Sequence, residues 1–539
     1  MTFDISLTPA ELDEIRDVHK ALLLKLSKGN KYMRNAYKGI ERGLLTLRID
    51  KRSVDARKRP DIITNFRVDI RKPAEFEEED RMLIKSVFKF DNVSMKQRPV
   101  IIGFGPAGMF AALVLARYGL KPIVLERGSE MERRVALVEE YKNGKRRLDP
   151  ETNIQFGEGG AGTFSDGKLF SGISSEFKRF IFDTFVEHGA PEDIVYDSHP
   201  HIGTDNLREV VVNIRKEIES LGGEVRFDSL VRKLCIENGK VTGVDYMRGE
   251  DQLHIDADDV ILAIGHSSRD TFRELLDEGI TMENKPFSVG VRIEHLRKDI
   301  DIAQYGFDTI GHFDISSASY KLAVDTKTGR KLYTFCMCPG GVVVPGASAE
   351  GHICTNGMSY YARDEVNSNS ALLVPVDPEI YGEGIMAGIE FQELLETRAY
   401  ELAGSDGSAP CTTFKAFKDG TTAQGFGKIQ PSYKPSVKLC DLNELFPEVI
   451  SESIKDGIIN MGKKIRGFDD DDAVLTAVEA RSSSPVRILR DKENFQSVNT
   501  TGLYPCGEGA GYAGGITSSA VDGIKCANAL VSKYSGSGI

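Results

Sequence analysis

The glycine pattern between Gly103 and Gly108 constrains the fold of this chain more than any other feature. Gly103, Gly105 and Gly108 form a G-x-G-x-x-G turn that follows a short apolar run and precedes an apolar helical stretch and a second apolar run. In such a turn the glycines allow a tight bend, close approach of the backbone to a pyrophosphate and close helix packing. The sequence therefore predicts a βαβ unit of a dinucleotide-binding sheet, whose site includes Pro106 and Ala107 at the start of the helix.

Glu126 strengthens this prediction because it follows the glycines by about 20 residues, at the end of the second apolar run. A carboxylate at that position accepts hydrogen bonds from the 2′-hydroxyl of an adenosine ribose, which favours FAD or NAD over NADP. The adjacent Arg127 belongs to the same predicted cofactor site.

Length and charge limit the classes of protein that fit. A chain of 539 residues exceeds the size of one domain of roughly 100 to 200 residues, so several units are expected. The net charge of -12 argues against a general affinity for nucleic acid or for a membrane surface, because both are anionic. No apolar run approaches the roughly 20 residues of a spanning helix, and no secretory leader is recognisable. We therefore expect a cytoplasmic protein. Its eight cysteines show no CxxC spacing, so we expect that they bind no metal.

The hydrophobic pattern predicts a small α+β domain before the glycine turn. A helix is expected from the Thr8 to Glu11 capping motif, and strands are expected at 44–50 and 62–70. The acidic stretch 75–80 and the polar segment 91–98 are interpreted as a linker. The domain carries a basic segment that either docks an anionic partner such as RNA or is solvated loop charge. Its members are Arg48, Lys51, Arg52, Arg57, Lys58 and Arg59.

The C-terminal region holds a second glycine-rich motif. Gly507 and Glu508 follow a short apolar run, and further glycines lead through Gly515 to an apolar helix that begins at Ile516. This arrangement resembles the second flavin motif of glutathione-reductase-type flavoproteins. The resemblance implies that Glu508 holds the ribitol hydroxyls, where the family more often has Asp, and that the helix N-terminus faces the N1 and O2 atoms of the flavin.

Three internal segments extend the resemblance. Residues 258–265 look like the strand-to-glycine segment of this class, with Ala263 and Gly265 at the cofactor, and Val231 stands where the family presents backbone to adenine. The glycine-rich segment 156–169 contains a formal G-x-G-x-x-G, but polar residues follow it where a helix should start. We interpret it as a loop along the pyrophosphate and the flavin edge. Its predicted contact residues are Gly160, Gly162, Thr163, Ser165, Gly167 and Lys168.

The resemblance covers residues 97–539 and is strongest to the bacterial FAD-dependent dehydrogenases, whose substrates are largely undefined. It implies an α/β fold with a Rossmann-like FAD-binding domain of glutathione-reductase type, an inserted mixed α+β substrate domain and the small N-terminal domain. The expected cofactor is FAD, and the expected reaction moves a hydride or an electron pair between flavin N5 and a small organic substrate. The predicted boundaries are 1–92 for the N-terminal domain, 97–280 and 496–539 for the FAD-binding domain, and 281–495 for the substrate domain.

The sequence has neither a second complete nucleotide fingerprint nor a CxxxxC redox pair. NAD(P)H is therefore expected, if at all, as a transient electron donor in the active-site cleft. Two other interpretations remain open, a flavoprotein that acts on RNA through the basic N-terminal segment and a protein in which FAD has no catalytic role.

The substrate side offers candidates rather than a diagnostic motif. Cys336 and Cys338 end a predicted strand whose alternation puts both side chains on one face. Three roles are open for them: a thiolate that acts as a nucleophile, a strained disulfide between the two, or a pair of small core residues. His199 and Glu294 are candidate proton donors or anion clamps beside N5, and satisfied structural hydrogen bonds are the alternative. Arg481 is the preferred anion-binding candidate, with a core ion pair as its alternative.

Overall fold

The computed structural model describes residues 1–89, 93–169, 172 and 175–535. The chain begins with a three-stranded antiparallel sheet, in the order β1-β3-β2, covered by helices over a small apolar core. Its elements are β1 (Thr2–Leu7), α1 (Pro9–Ile15), α2 (Val18–Lys28), α3 (Lys31–Glu41), β2 (Thr46–Asp55), β3 (Ile63–Arg71) and α4 (Pro73–Val87).

The capping motif and the two strands predicted in this unit are confirmed. The Glu11 amide donates to Thr8 Oγ1, and the Thr8 amide donates to the Glu11 carboxylate at 3.0 Å. The linker predicted at 75–80 is wrong, because these residues lie in α4. Pro73 stands in the first turn of that helix, an acidic first turn suits its N-terminus, and Phe76 is buried. The second part of the predicted linker, 91–98, falls partly outside the described residues.

The predicted βαβ unit follows, and its strands are buried and apolar. The elements up to residue 277 are β4 (Val100–Ile102), α5 (Pro106–Arg117), β5 (Ile123–Leu125), α6 (Met131–Lys142), α7 (Phe177–Glu187), α8 (Thr204–Ser220), β6 (Glu224–Arg226), β7 (Ser229–Glu237), β8 (Lys240–Arg248), β9 (Asp251–Asp256), β10 (Val260–Leu262) and α9 (Arg269–Asp277). Strands β7 to β9 form an antiparallel meander. The glycine-rich loop contains a short 3-10 turn, Gly160–Phe164, instead of an α-helix.

A seven-stranded, largely antiparallel sheet with its own apolar core dominates the next region. The elements there are β11 (Met282–Asn284), β12 (Phe287–Leu296), α10 (Arg297–Tyr305), β13 (Ala323–Asp325), β14 (Lys331–Cys338), β15 (Val342–Pro345), β16 (Thr355–Met358), β17 (Asn367–Val376), α11 (Pro378–Tyr381), α12 (Ala387–Leu402), β18 (Ala409–Thr413), α13 (Phe414–Asp419), β19 (Val437–Leu439), α14 (Glu448–Gly462), β20 (Val474–Glu479) and β21 (Val486–Ile488). The order of the large sheet is β13-β14-β17-β12-β20-β18-β19.

The C-terminal elements β22 (Leu503–Pro505) and α15 (Ile516–Tyr534) return to the glycine turn. Strand β22 pairs in parallel with β10 and completes a parallel sheet in the order β22-β10-β4-β5-β6. Helix α15 packs closely on α5 at Gly523. A side chain at this position would overlap the Ala107 carbonyl, so the close contact requires glycine. The architecture is therefore mixed α/β, as the sequence predicts. Across the described ranges, no helix combines the length and apolarity that crossing a membrane requires.

Candidate functional site

A cavity of about 350 Å³ lies at the carboxyl ends of β4, β5, β10 and β22, and we call it the first cavity. Parallel α/β sheets bind ligands at this edge. Seventeen of the twenty predicted cofactor residues line it. They are Gly103, Gly105, Pro106, Ala107, Glu126, Arg127, Gly160, Gly162, Ser165, Gly167, Lys168, Val231, Ala263, Gly265, Glu508, Gly515 and Ile516.

The other three predicted cofactor residues support this lining from behind. The Thr163 hydroxyl donates to the Glu158 carbonyl at 3.3 Å, and the Gly507 amide donates to Asp522 at 2.7 Å. Gly108 packs against the Gly103 carbonyl so tightly that a side chain would overlap it. These residues shape the cavity without facing it.

The glycines at the start of α5 form a cradle that a side chain would fill. Gly103 has φ +97°, and Gly160 has φ +61°. A Cβ atom on Gly160 would lie 2.9 Å from Gly105 Cα, so a side chain at this position would crowd the Gly105 backbone. The N-terminus of α5 opens on this cradle, which suits a diphosphate.

Glu126 lies at the wall of the cavity and is only 4% exposed. Its carboxylate accepts the amides of Phe104 at 2.8 Å, Gly128 at 3.0 Å and Gly157 at 2.8 Å. Burial raises the pKa of Glu126, and the three amides oppose this shift. A carboxylate offers about four acceptor positions, so one remains for a ribose hydroxyl.

Glu508 and the N-terminus of α15 define a second polar part of the same cavity. The Glu508 carboxylate lies 3.4 Å from His266 Nδ1. The other ring nitrogen of His266, Nε2, is buried and has no hydrogen-bond partner among the described residues. Such an atom fits a polar ligand group in the cavity. The sequence interpretation missed His266, although it directly follows the predicted contact Gly265.

Two arginines predicted to bind ligands reach the wall but are already paired. Arg127 donates to Glu151 at 2.8 Å and to Asp270 at 2.9 Å. Arg481 donates twice to Glu396 at 2.8 Å, and its remaining nitrogen donates to two serine hydroxyls. Arg269 binds the same Glu396 carboxylate. The alternative of a core ion pair therefore describes Arg481 better than an anion clamp.

A larger cleft of about 1440 Å³ adjoins the first cavity, and we call it the second cleft. The N-terminal unit contributes Arg52, Ser53 and Val54 to its wall, and the inserted region and the C-terminal loop contribute most of the rest. The two cavities share six residues, which we call the junction. These are Lys168, Phe335, Cys336, Gly514, Gly515 and Ile516.

The two cysteines of β14 differ in their exposure. The register of β14 against β17 shifts between Phe335 and Cys338, and Cys336 has φ +43°. The regular alternation expected from the sequence is therefore wrong at this point, because a bulge interrupts the strand. Cys336 lines both cavities, whereas Cys338 is completely buried.

The remaining candidates lie away from the first cavity. His199 lines only the second cleft, where its amide donates to Asp197 at 2.8 Å. Glu294 is completely buried and lines neither the first cavity nor the second cleft. Its carboxylate accepts from the Ser432 hydroxyl and, at 2.9 Å, from Asn367. The contacts of Glu294 therefore match the alternative given above, satisfied structural hydrogen bonds inside the sheet layer.

Three of the six residues of the basic N-terminal segment pair with carboxylates. Arg48 lies 2.7 Å from Glu79, and Arg57 lies 2.6 Å from Asp55. Arg52 is buried between Asp197 and Asp314. Lys51, Lys58 and Arg59 form no ion pair among the described residues, and Arg59 donates instead to the Gln304 side chain at 3.2 Å. Docking of an anionic partner such as RNA by this segment therefore stays a prediction.

Comparison with known proteins gives two family matches and a relative that covers most of the chain. Residues 286–482 match the family described as FAD-dependent protein, C-terminal domain-like, and residues 97–288 match pyridine nucleotide-disulphide oxidoreductase. An uncharacterized protein of Clostridium beijerinckii is 45% identical over 506 residues, which are 90% of this chain and 92% of that protein.

Solved structures show a more distant likeness. A geranylgeranyl bacteriochlorophyll reductase-like protein from Thermoplasma acidophilum is 14% identical with a TM-score of 0.36, covering 82% of this chain and 80% of that one. Glycine oxidase from Bacillus cereus is 12% identical with a TM-score of 0.31, covering 81% of this chain and 95% of that one.

Proposed function

Because the chain belongs to a family of FAD-dependent oxidoreductases with undefined substrates, we propose that it is an enzyme that moves a hydride or an electron pair between flavin N5 and a small organic substrate. One observation carries the proposal. The first cavity and the second cleft share the residues of the junction at the N-terminus of α15, where a cofactor and a substrate would meet.

The residues of the first cavity fit FAD in its expected orientation. Glu126 would accept a ribose hydroxyl, the cradle between Gly105 and Gly160 would receive the diphosphate, and Glu508 would hold the ribitol. The N-terminus of α15 would stabilise negative charge on the flavin ring. FAD supplies the two-electron acceptor and donor of the reaction when it is bound.

Lys168 gives the junction a positive charge. Burial lowers its pKa, but Asp166 at 2.8 Å and the two cysteines raise the pKa above its ordinary value. The ammonium group therefore stays protonated, and Lys168 lines both cavities. We propose that it orients an anionic or carbonyl oxygen of the substrate, or donates a proton to it from Nζ.

The electron donor is proposed to enter through the second cleft. In the described part of the chain, a single parallel sheet carries a nucleotide fingerprint, and its cradle is assigned to FAD. NAD(P)H, if it is the donor, would bind transiently in the second cleft.

An absorption spectrum followed by anaerobic titration with NADH and then NADPH tests the proposal. We expect bound flavin whose visible bands bleach with one nucleotide or with a substrate, and return when an electron acceptor is added. Bound flavin that no donor reduces would show that FAD has a structural role only. A protein that takes up no flavin would overturn the assignment of the first cavity.

A further inference from the structure

Three side chains of types that bind metals lie together on the antiparallel meander of β7, β8 and β9. Cys235 on β7, Asp245 on β8 and His254 on β9 place a sulfur, a carboxylate oxygen and a ring nitrogen within 4.8 Å of one another. All three side chains are at least partly exposed, so a cation can reach them from solvent. None of the three residues lines the first cavity or the second cleft, so the proposed function gives them no role.

A glycine on the middle strand explains how side chains from the two outer strands meet. Strands β7 and β9 both pair with β8 and not with each other, so their backbones lie about 9.6 Å apart. Gly243 on β8 stands opposite Cys235 on one side and Asp256 on the other. A Cβ atom on Gly243 would lie 2.8 Å from His254 Cε1, so a side chain there would displace the imidazole. Because Gly243 has none, the ring extends over β8, and its Nδ1 atom lies 4.0 Å from Cys235 Sγ.

The separations between the three ligand atoms are close to those around a tetrahedral metal ion. His254 Nδ1 lies 2.7 Å from Asp245 Oδ1 and 4.0 Å from Cys235 Sγ. A zinc ion with bonds of about 2.3 Å to sulfur and about 2.0 Å to nitrogen and oxygen separates such atoms by roughly 3.3–3.5 Å. Both distances therefore need to change by about half an ångström, which small rotations of exposed side chains supply. The proton between His254 Nδ1 and Asp245 would leave when the metal binds.

Asp256 supports the imidazole from its other side. A carboxylate oxygen of Asp256 lies 3.1 Å from His254 Nε2. A histidine that binds a metal usually donates its second ring N–H to a carboxylate, which orients the ring and leaves the lone pair on the nitrogen that binds the metal. In His254 that nitrogen is Nδ1, the atom next to Cys235 and Asp245. The meander therefore holds both a set of ligands and the group that orients one of them.

The mixture of ligand types selects the kind of cation. Zinc binds thiolate, imidazole and carboxylate ligands in tetrahedral geometry, whereas Mg²⁺ and Ca²⁺ take oxygen ligands. Of the three groups here, one is an oxygen donor, one a nitrogen donor and one a sulfur donor. Three protein ligands leave a fourth position for a water molecule. A zinc ion therefore fits the cluster better than Mg²⁺ or Ca²⁺ does.

We propose that Cys235, Asp245 and His254 bind a zinc ion, and that Asp256 is a positioning residue for it. The ion would join β7 to β9 and so stabilise the meander, whose first strand carries Val231 at the wall of the first cavity. The proposal goes beyond the proposed function and does not depend on it. It departs from the expectation that the cysteines bind no metal, because strand pairing rather than a CxxC spacing brings these ligands together.

Calorimetric titration with Zn²⁺ tests the site in the full-length protein, after a chelator has removed bound metal. We expect one tight equivalent per chain and no binding of Mg²⁺. Cys235→Ser, Asp245→Ala and His254→Ala should each weaken zinc binding by about a hundredfold or more, because each removes a ligand. Asp251→Asn is the matched control, since Asp251 is an exposed carboxylate on β9 outside the cluster, and it should bind zinc like the parent.

The positioning role of Asp256 has its own pair of variants. Asp256→Asn should weaken zinc binding by about tenfold, less than the loss of a ligand does. Asp256→Glu keeps the carboxylate and should restore most of the affinity. A purely structural role at this exposed position would not make zinc affinity follow the carboxylate in this way.

Zinc should also shield the thiol that it binds. Cys235 is partly exposed, so iodoacetamide should label the peptide that contains it in the metal-free protein. Added zinc should slow this labelling, and a chelator should restore the rate. In His254→Ala, zinc should give no protection, and mass spectrometry of the peptide measures the difference.

Three results would overturn the inference. One is a parent protein that takes up no stoichiometric zinc. Another is zinc binding that stays as tight in both Cys235→Ser and His254→Ala, which would place the ion elsewhere in the chain. The third is an Asp256→Asn variant that binds zinc as tightly as the parent, which would contradict the positioning role. Circular dichroism of each variant checks that a loss of binding does not come from a loss of fold.

Discussion

Gly160 is a residue at which the cofactor assignment can be tested by adding one carbon atom. We expect Gly160→Ala to weaken FAD binding at least tenfold, because its Cβ would press on Gly105 inside the cradle. Gly249→Ala is a matched control, since Gly249 has nearly the same φ, +62° against +61°, and open space around it. Both variants carry the backbone cost of about 1 kcal/mol, and only the first should release flavin on gel filtration. Equal flavin content in the two variants would contradict the cradle.

Cys336 should show its acidity in the pH dependence of alkylation. Only the thiolate reacts with iodoacetamide, so the rate should rise with pH and reach half its maximum near pH 6. Replacement of Cys338 by Ala removes the largest cause of the lowered pKa and should move the midpoint upward. The measurement follows the alkylated 336-containing peptide by mass spectrometry. A midpoint above pH 8 in the unmodified protein would contradict the lowered pKa of Cys336.

The elements around the first cavity follow from the sequence because their signals are local. Buried apolar runs, the glycine turn and Glu126 specify β4, α5 and β5 without reference to the rest of the chain. The bulge at Cys336 has no such signal, since it arises from the pairing of β14 with β17. The helical acidic stretch in α4 was also missed, because a run of glutamates has no strong apolar period. Where the local sequence pattern does not specify the structure, the pairing of strands in the folded protein does.

The partners of Arg292 could not be predicted either, because they too depend on which strands pair in the folded protein. Arg292 and its partner therefore allow a test of a buried ion pair. Arg292 on β12 is completely buried and binds Glu479 on β20 at 2.8 and 3.0 Å. We expect Arg292→Met and Glu479→Met each to lower the free energy of unfolding by about 3–5 kcal/mol, because each leaves an unpaired buried partner. The double variant Arg292→Met/Glu479→Met should cost less than the sum. Urea denaturation of the three variants measures this, and strictly additive costs would contradict a buried ion pair.

At the scale of the whole molecule, the N-terminal unit closes one side of the second cleft through Arg52. Its guanidinium binds Asp197 and Asp314, and its backbone pairs with residues 196 and 198. Arg52→Met should therefore loosen this wall and increase hydrogen–deuterium exchange in 193–199 at least tenfold. Arg57→Met is the control, because Arg57 is exposed and pairs only locally with Asp55. Unchanged exchange in the first variant would show that other contacts hold the unit in place.

A crystal structure of the FAD-loaded protein tests the central claim most directly. The account predicts the adenosine end of FAD beside Glu126 and Val231, and the flavin ring at the junction, between the N-terminus of α15 and Cys336. One edge of the ring should face the second cleft. Electron density for FAD that leaves the junction empty, or that places the flavin ring away from the second cleft, would contradict the account.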